Sequence, residues 1–374
     1  MTRSCLNRPI PRSLRHVRVS ILLASLGCAA CEAATPDEGP FLETHYVRYM
    51  SDQPFAPCGG LARETDKQVE FLFDLLGEPY PPPLSIEYEW VEDNSTLTCS
   101  DNASGCAQAT VGGAAIESIY LAYLHELAHA AHLLTLGTSH RVLTEGFASY
   151  ASSQPRVAAP QDAAVFTQAI ESLLDAGTLS GEQYTLAARF VGMTIERHGI
   201  AAFKAFWREV PRDAKLAEVR ATYAASFGES WSDALAAIAS REQTAFRDPY
   251  CEGDVRAVGD QLKLTLTQTC EDEDVTGPLR NSGVVTGELP IPIELTSEGM
   301  YRFHFDSAGG PTEPVAGLRG CSIGSPAPVP SISLFSSQDD VVQYLGPGRY
   351  LLNIRAPLTP GDNPPIDVII DRIQ

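Results

Sequence analysis

The chain reads His125-Glu126-Leu127-Ala128-His129 within a largely apolar run from about Ala114 to Leu136, and after a short loop Leu143-Thr144-Glu145-Gly146-Phe147-Ala148. The run has helical spacing and Gly137 supplies a stop, so it predicts one long helix with a second beginning at Thr144. Positions four apart on a helix lie one turn apart on the same face, which lets His125 and His129 reach a single metal ion. Glu126 stands beside them. A carboxylate there can take a proton from water activated by the ion and deliver it to a leaving group. An HExxH pattern inside a helix therefore points to zinc (Zn2+) as the cofactor and to metal-assisted hydrolysis.

His132, His140 and Glu145 compete for the place of third ligand. His132 shares the histidine stripe, but it is seven residues from His125, about 10 Å along a helix axis, too far for both to bind one tetrahedral ion. Thr135 stands where the metzincin pattern needs a histidine, which excludes that class. His140, in the connecting loop, stays open. Glu145 projects back from the start of the second helix and completes a two-His, one-Glu set with an open fourth position, the favoured arrangement.

HELAH followed by TEGFASY resembles the gluzincin peptidases, and especially the Peptidase MA-like group, in which HExxH is followed by an EGxAxY-type segment on a second helix. The likeness continues through Gln183-Tyr184-Thr185-Leu186-Ala187-Ala188-Arg189-Phe190-Val191 and Glu196-Arg197-His198-Gly199, and so covers about residues 115 to 240. It implies a zinc peptidase with metal ligands His125, His129 and Glu145, Glu126 as general base, and a peptide or protein substrate. Amide hydrolysis also needs a donor aimed at the developing oxyanion. The resemblance offers Tyr184 for this, with Tyr150 and His198 as alternatives. Two departures stand out: the step from His129 to Glu145 is shorter than in thermolysin-like members, and Ser149 occupies the place of their Asp that orients a ligating histidine.

Outward from this stretch, Glu43 to Tyr49 and the alternating Leu84 to Val91 predict strands, with a helix over Thr65 to Leu76. Helices are expected over Gln161 to Ala176, Glu182 to His198, Ala201 to Glu209 and Trp231 to Ser240. Beyond Asp248 the pattern turns to period-two or apolar runs at Gln261 to Cys270, Gly299 to Asp306, Ser331 to Phe335, Tyr350 to Ile354 and Ile366 to Ile370. The fold class is thus α+β: a mainly α domain over 41–248, which the resemblance implies is a zincin-like metallopeptidase domain, followed by an all-β sandwich-like domain over 249–374. Small β modules of this kind resemble pre-peptidase C-terminal domains, so partner or glycan binding by a non-catalytic surface lipoprotein is the alternative reading.

Five arginines among the first 18 residues precede the apolar run Val19 to Gly27, the layout of a bacterial export signal over 1–31. Ser25-Leu26-Gly27-Cys28 resembles a lipobox, so the expected place is outside the cytoplasm, either at the cell envelope through a lipidated Cys28 or Cys31 or as a simply secreted protein, with 32–40 as a tether or linker. The net charge of -20, from 47 acidic and 27 basic side chains, speaks against nucleic acid as a partner. Six cysteines follow the leader, an even number that reads as disulfides in an exported protein. Cys99 with Cys106 and Cys251 with Cys270 are expected to pair locally, leaving Cys58 with Cys321.

Overall fold

The computed structural model describes residues 41–51, 56–91, 95–99, 104–152, 162–177, 179–240, 249–252, 254–281, 284–307, 315–321, 332–335, 340–358 and 365–373. The export leader with Cys28 and Cys31, and the tether over 32–40, lie outside the described residues.

The molecule is α+β. Its first half holds strands β1 (Leu42–Glu43), β2 (Val47–Ser51), β3 (Ile86–Trp90), β4 (Gly105–Thr110) and β5 (Gly113–Ser118) in one sheet of order β1-β2-β3-β5-β4. β2, β3 and β5 run parallel, while β4 folds back antiparallel on β5 and forms one edge. Helix α1 (Leu61–Leu76) bridges β2 and β3 and buries Val69, Leu72, Phe73 and Leu76. The alternation of Ile86, Tyr88 and Trp90 puts all three in the core, as a half-buried strand requires.

The expected long helix from Ala114 is corrected: Gly113–Ser118 is strand β5, and helix α2 spans Leu124–Thr135. Ala114, Ile116 and Ser118 are buried and alternate with Ala115 and Glu117, so the period is two. Small alanines hid that alternation inside an apolar run. The turn into α2 is pinned by Tyr88, whose hydroxyl donates to the Tyr120 carbonyl and accepts from the Tyr123 backbone N–H. Ala122 takes a left-handed φ of 47° in that turn, a strained conformation that the tyrosine clamp holds in place.

The helices that follow are α3 (Arg141–Ala151), α4 (Ala163–Ala176), α5 (Gln183–Glu209, with a break at Gly199), α6 (Leu216–Phe227) and α7 (Trp231–Ser240). Helix α6 escaped the pattern reading because its buried stripe is reduced to Val219 and Tyr223. One core joins sheet and helices, with Tyr49 and Tyr88 below and Leu127, Phe147, Phe190 and Trp207 above. Arg189 is fully buried there and donates to the Ile238 and Ala239 carbonyls at the end of α7.

The second half contains β6 (Arg256–Val258), β7 (Gln261–Leu266), β8 (Thr276–Asn281), β9 (Val284–Leu295), β10 (Gly299–Ser307), β11 (Val315–Gly320), β12 (Ile332–Phe335), β13 (Val341–Leu345), β14 (Gly348–Pro357) and β15 (Ile366–Ile373). They form a four-stranded sheet, β13-β10-β15-β7, and a six-stranded sheet, β12-β11-β14-β9-β6 with β8 also on β9. Ile291, Ile293, Leu352 and Ile354 of one sheet meet Tyr301, Phe303, Val368 and Ile370 of the other in a single core. The longest strand, β9, was not foreseen. Pro290 and Pro292 cannot donate to a ladder and argue against a strand, yet they pair in register with Asn353 and Leu351.

The disulfides are Cys99–Cys106, as expected, together with Cys58–Cys270 and Cys251–Cys321. The expected Cys251–Cys270 and Cys58–Cys321 pairs are corrected. Between Cys251 and Cys270 the chain does not close a hairpin: β6 joins one sheet and β7 the other, which carries Cys270 away from its neighbour. Cys270 instead reaches the start of α1, where backbone bonds from Cys58, Gly59 and Gly60 to the carbonyls of Gly277, Cys270 and Val275 join the two halves. Three disulfides are the mark of an oxidising, extracytoplasmic environment. Among the described residues no helix is long and apolar enough to cross a membrane.

Candidate metal centre

Helix α2 buries Leu127, Ala128, Ala130 and Ala131 against the sheet and helices, and its other face carries His125, His129 and His132. Helix α3 begins where His140 accepts a hydrogen bond from the Val142 N–H, so His140 is a buried helix cap and lies outside the ligand cluster. One turn later Glu145 faces α2. Gly146 explains how α3 comes so near α5: a Cβ there would stand 2.6 Å from the Ala187 carbonyl oxygen and 2.7 Å from a Val191 methyl. The glycine after Glu145 thus serves packing. Gly146→Ala is expected to cost about 1–3 kcal/mol of stability, read as a lower midpoint in chemical denaturation.

His125 Nε2 and His129 Nε2 are 3.2 Å apart, and Glu145 Oε2 lies 3.4 Å from the first and 3.3 Å from the second. A tetrahedral zinc with bonds of about 2.05 Å requires ligand atoms about 3.3–3.4 Å apart. The three atoms therefore form one face of a coordination tetrahedron, and the donor set suits zinc. The other Glu145 oxygen turns to the Arg141 guanidinium at 3.6 Å. Burial works against ionising Glu145, but the two imidazoles hold its carboxyl well below the usual range. Burial likewise lowers His129, and Glu145 outweighs it, leaving the imidazole above its ordinary value.

Glu126 is buried beside the triangle, and its Oε2 makes no hydrogen bond among the described residues. Burial raises its pKa against the opposing pull of the histidines. The edge strand β4 presses on it: a Cβ at Gly105 would stand 2.8 Å from Glu126 Cγ. The Cys99–Cys106 disulfide straps the residue next to that contact.

Of the three oxyanion-donor candidates only Tyr184 is brought to the cluster. Its ring lies 6.2 Å from that of His125, and its hydroxyl senses Glu145, Arg141 and Glu126. Tyr150 is buried near Glu196, and His198 bonds Glu229 at 2.8 Å and stacks on Phe227. Ser149 is fully buried, and its hydroxyl makes no hydrogen bond among the described residues. The neighbour of His129 is instead His132, whose Nε2 lies 3.0 Å from His129 Nδ1.

No family model matches the chain, and no curated protein matches it. Among solved structures it is similar to the pre-peptidase C-terminal domain of a collagenase from Bacillus anthracis, at 9% identity over 32% of this chain and 95% of that one, with a TM-score of 0.19. A beta-glucosidase from Paenibacillus barengoltzii is similar at 11% identity over 45% of this chain and 20% of that one, TM-score 0.13. A family GH115 4-O-methyl-alpha-glucuronidase gives 11% identity over 68% and 39%, TM-score 0.15. Scores this low do not establish a shared fold.

Proposed function

We propose that the protein is a zinc-dependent peptidase of gluzincin type, acting outside the cytoplasm on peptide or protein substrates. The observation that carries this reading is the nearly equilateral His125–His129–Glu145 triangle with Glu126 beside it, whose buried Oε2 makes no hydrogen bond among the described residues. Bound at the triangle, zinc would supply Lewis-acid chemistry, bringing the pKa of water towards 7 and polarising a carbonyl. Glu126 takes the proton of the attacking water and passes it to the leaving nitrogen, a task suited to a carboxylate whose pKa burial has raised. Tyr184 donates to the developing oxyanion.

The edge strand β4 favours a peptide as substrate. Its residues from Gln108 to Thr110 are exposed, and β5 pairs only one of its sides. An extended peptide adding to that edge runs beside Gly105 and so beside Glu126. Gly105→Ala is therefore expected to lower kcat/KM at least about tenfold with zinc content unchanged, because the new methyl crowds Glu126 Cγ at 2.8 Å and, by meeting the Glu117 carbonyl oxygen at 2.9 Å, also shifts the β4–β5 ladder beside it. Domain boundaries at 41–248 and 249–374, and attachment through a lipidated Cys28 or Cys31, belong to the same proposal.

The alternative, a non-catalytic lipoprotein binding through its β half, draws on Met300, Val342, Tyr344 and Ile373, exposed on the four-stranded sheet where Met300 pairs with both Tyr344 and Ile373. The deciding experiment uses residues 32–374 with disulfides formed: zinc by atomic absorption, and cleavage of casein and mixed peptide libraries before and after chelation. About one zinc per chain with chelator-sensitive cleavage supports the peptidase. Zinc without cleavage of any library peptide favours the binding protein, and absence of zinc affinity rejects the metal centre.

A further inference from the structure

The role of His132 is set by two contacts made by its two ring nitrogens. Nε2 faces His129 Nδ1 at 3.0 Å, and Nδ1 faces the Gly137 carbonyl oxygen at 3.2 Å. A carbonyl only accepts, so His132 Nδ1 carries the proton of that bond. The neutral ring then offers a lone pair at Nε2, and the proton between the two imidazoles belongs to His129 Nδ1. That leaves His129 Nε2 as the atom with a lone pair for the triangle. The reverse arrangement, a proton on His132 Nε2, would make His129 Nδ1 the acceptor and put a proton where the metal lone pair is needed.

We infer that His132 is a positioning residue for the metal centre, fixing the ring orientation and tautomer of His129 through a chain that ends on the Gly137 carbonyl. This rests on the reading of the triangle as a zinc site. The anchor of the chain is built by the helix end. Gly137 adopts a left-handed φ of 77°, and its carbonyl receives a second hydrogen bond from Trp207 Nε1 at 3.3 Å. The backbone carbonyl of Trp207 is itself bonded by the buried Ser139 hydroxyl. The His132 ring is fully enclosed and packs on Trp207, with ring centres 5.0 Å apart. His125 has no such support: its buried Nδ1 makes no hydrogen bond among the described residues. The orientation of the histidine pair therefore depends on His129 and its partner. A neutral imidazole takes the place that a carboxylate fills in many zinc sites, so His129 is oriented without gaining a second negative charge nearby.

Two measurements test this. The first is a long-range proton–nitrogen correlation spectrum of the imidazoles in the metal-free wild type, where His132 should be neutral with its proton on Nδ1. The second is zinc affinity by chelator competition for wild type, His132→Phe and His132→Gln, with metal-free melting curves as the folding control. His132→Phe keeps the buried ring and loses the acceptor, and should weaken zinc binding about 10–100-fold. His132→Gln restores an acceptor oxygen for His129 Nδ1 and should recover most of that loss. A proton on His132 Nε2 overturns the inference, and so do equal zinc affinities for wild type and His132→Phe, or equal weakening in both variants. A wild type that binds no zinc rejects the metal centre itself, while the spectrum still decides the direction of the hydrogen-bond chain.

Discussion

Glu126→Gln is expected to lower kcat/KM for peptide cleavage about a hundredfold to ten-thousandfold while zinc content stays at about one per chain. Gln has the shape of Glu and keeps one acceptor oxygen, so a water can still be held. It cannot accept a proton, and both proton transfers of the proposed reaction lose their carrier. The metal triangle excludes Glu126, so the substitution leaves all three ligand atoms in place. Burial also favours the neutral amide over a carboxylate whose Oε2 is unpartnered, so the variant should fold at least as stably as wild type. Steady-state cleavage of a quenched peptide, with zinc measured on the same sample, checks both halves. Loss of zinc together with activity would assign Glu126 to the coordination set instead. Unchanged activity would remove it from the chemistry.

His125 and His129 were legible because four residues on a helix define a face whatever surrounds them, and Glu145 because a short loop returns the next helix towards the first. The support around them was not. Spacing along α2 excluded His132 as a ligand, and nothing in the sequence said that a left-handed turn at Gly137 would return a carbonyl to its far nitrogen. Gly105 was hidden for another reason: it acts across space, from a strand whose partner β5 had been read as helix. Tyr184 was preferred to Tyr150 and His198 by type and resemblance alone, since all three sit on helices and only the packing decides which one faces the cluster. In the β half, runs matching β7, β10, β12, β14 and β15 were foreseen, while β11 and β13 were not, although their burial alternates. β9 was missed because its prolines outweigh its pattern, and the Cys58–Cys270 bond because it joins residues 212 apart through the packing of the two halves.

Glu145→Ala is expected to remove the zinc site while leaving the fold. Glu145 Oε2 is the third corner of the triangle and its one formal negative charge, 3.4 and 3.3 Å from the two imidazole nitrogens. Loss of a partner that merely orients a ligand costs about 10–100-fold in affinity, so loss of a ligand should cost at least about 100-fold. That loss has a readout independent of catalysis. A protein held at a thousandfold excess of free zinc over its Kd gains about 4.1 kcal/mol of stability from binding, and a hundredfold weaker Kd reduces the gain to about 1.4 kcal/mol. Thermal melts at fixed free zinc should therefore show a large zinc-dependent rise for wild type and a small one for Glu145→Ala. Because Glu145 Oε2 also lies within hydrogen-bond distance of His129 Nε2, its removal can change stability by itself, so the comparison must use the increment that zinc adds and not the melting temperature alone. Arg141→Ala is the matched control. It removes the guanidinium near Oε1 and leaves Oε2 in place, so its zinc increment should stay close to wild type. A full increment in Glu145→Ala would move the third ligand elsewhere and return His140 to consideration, at the cost of its cap on α3.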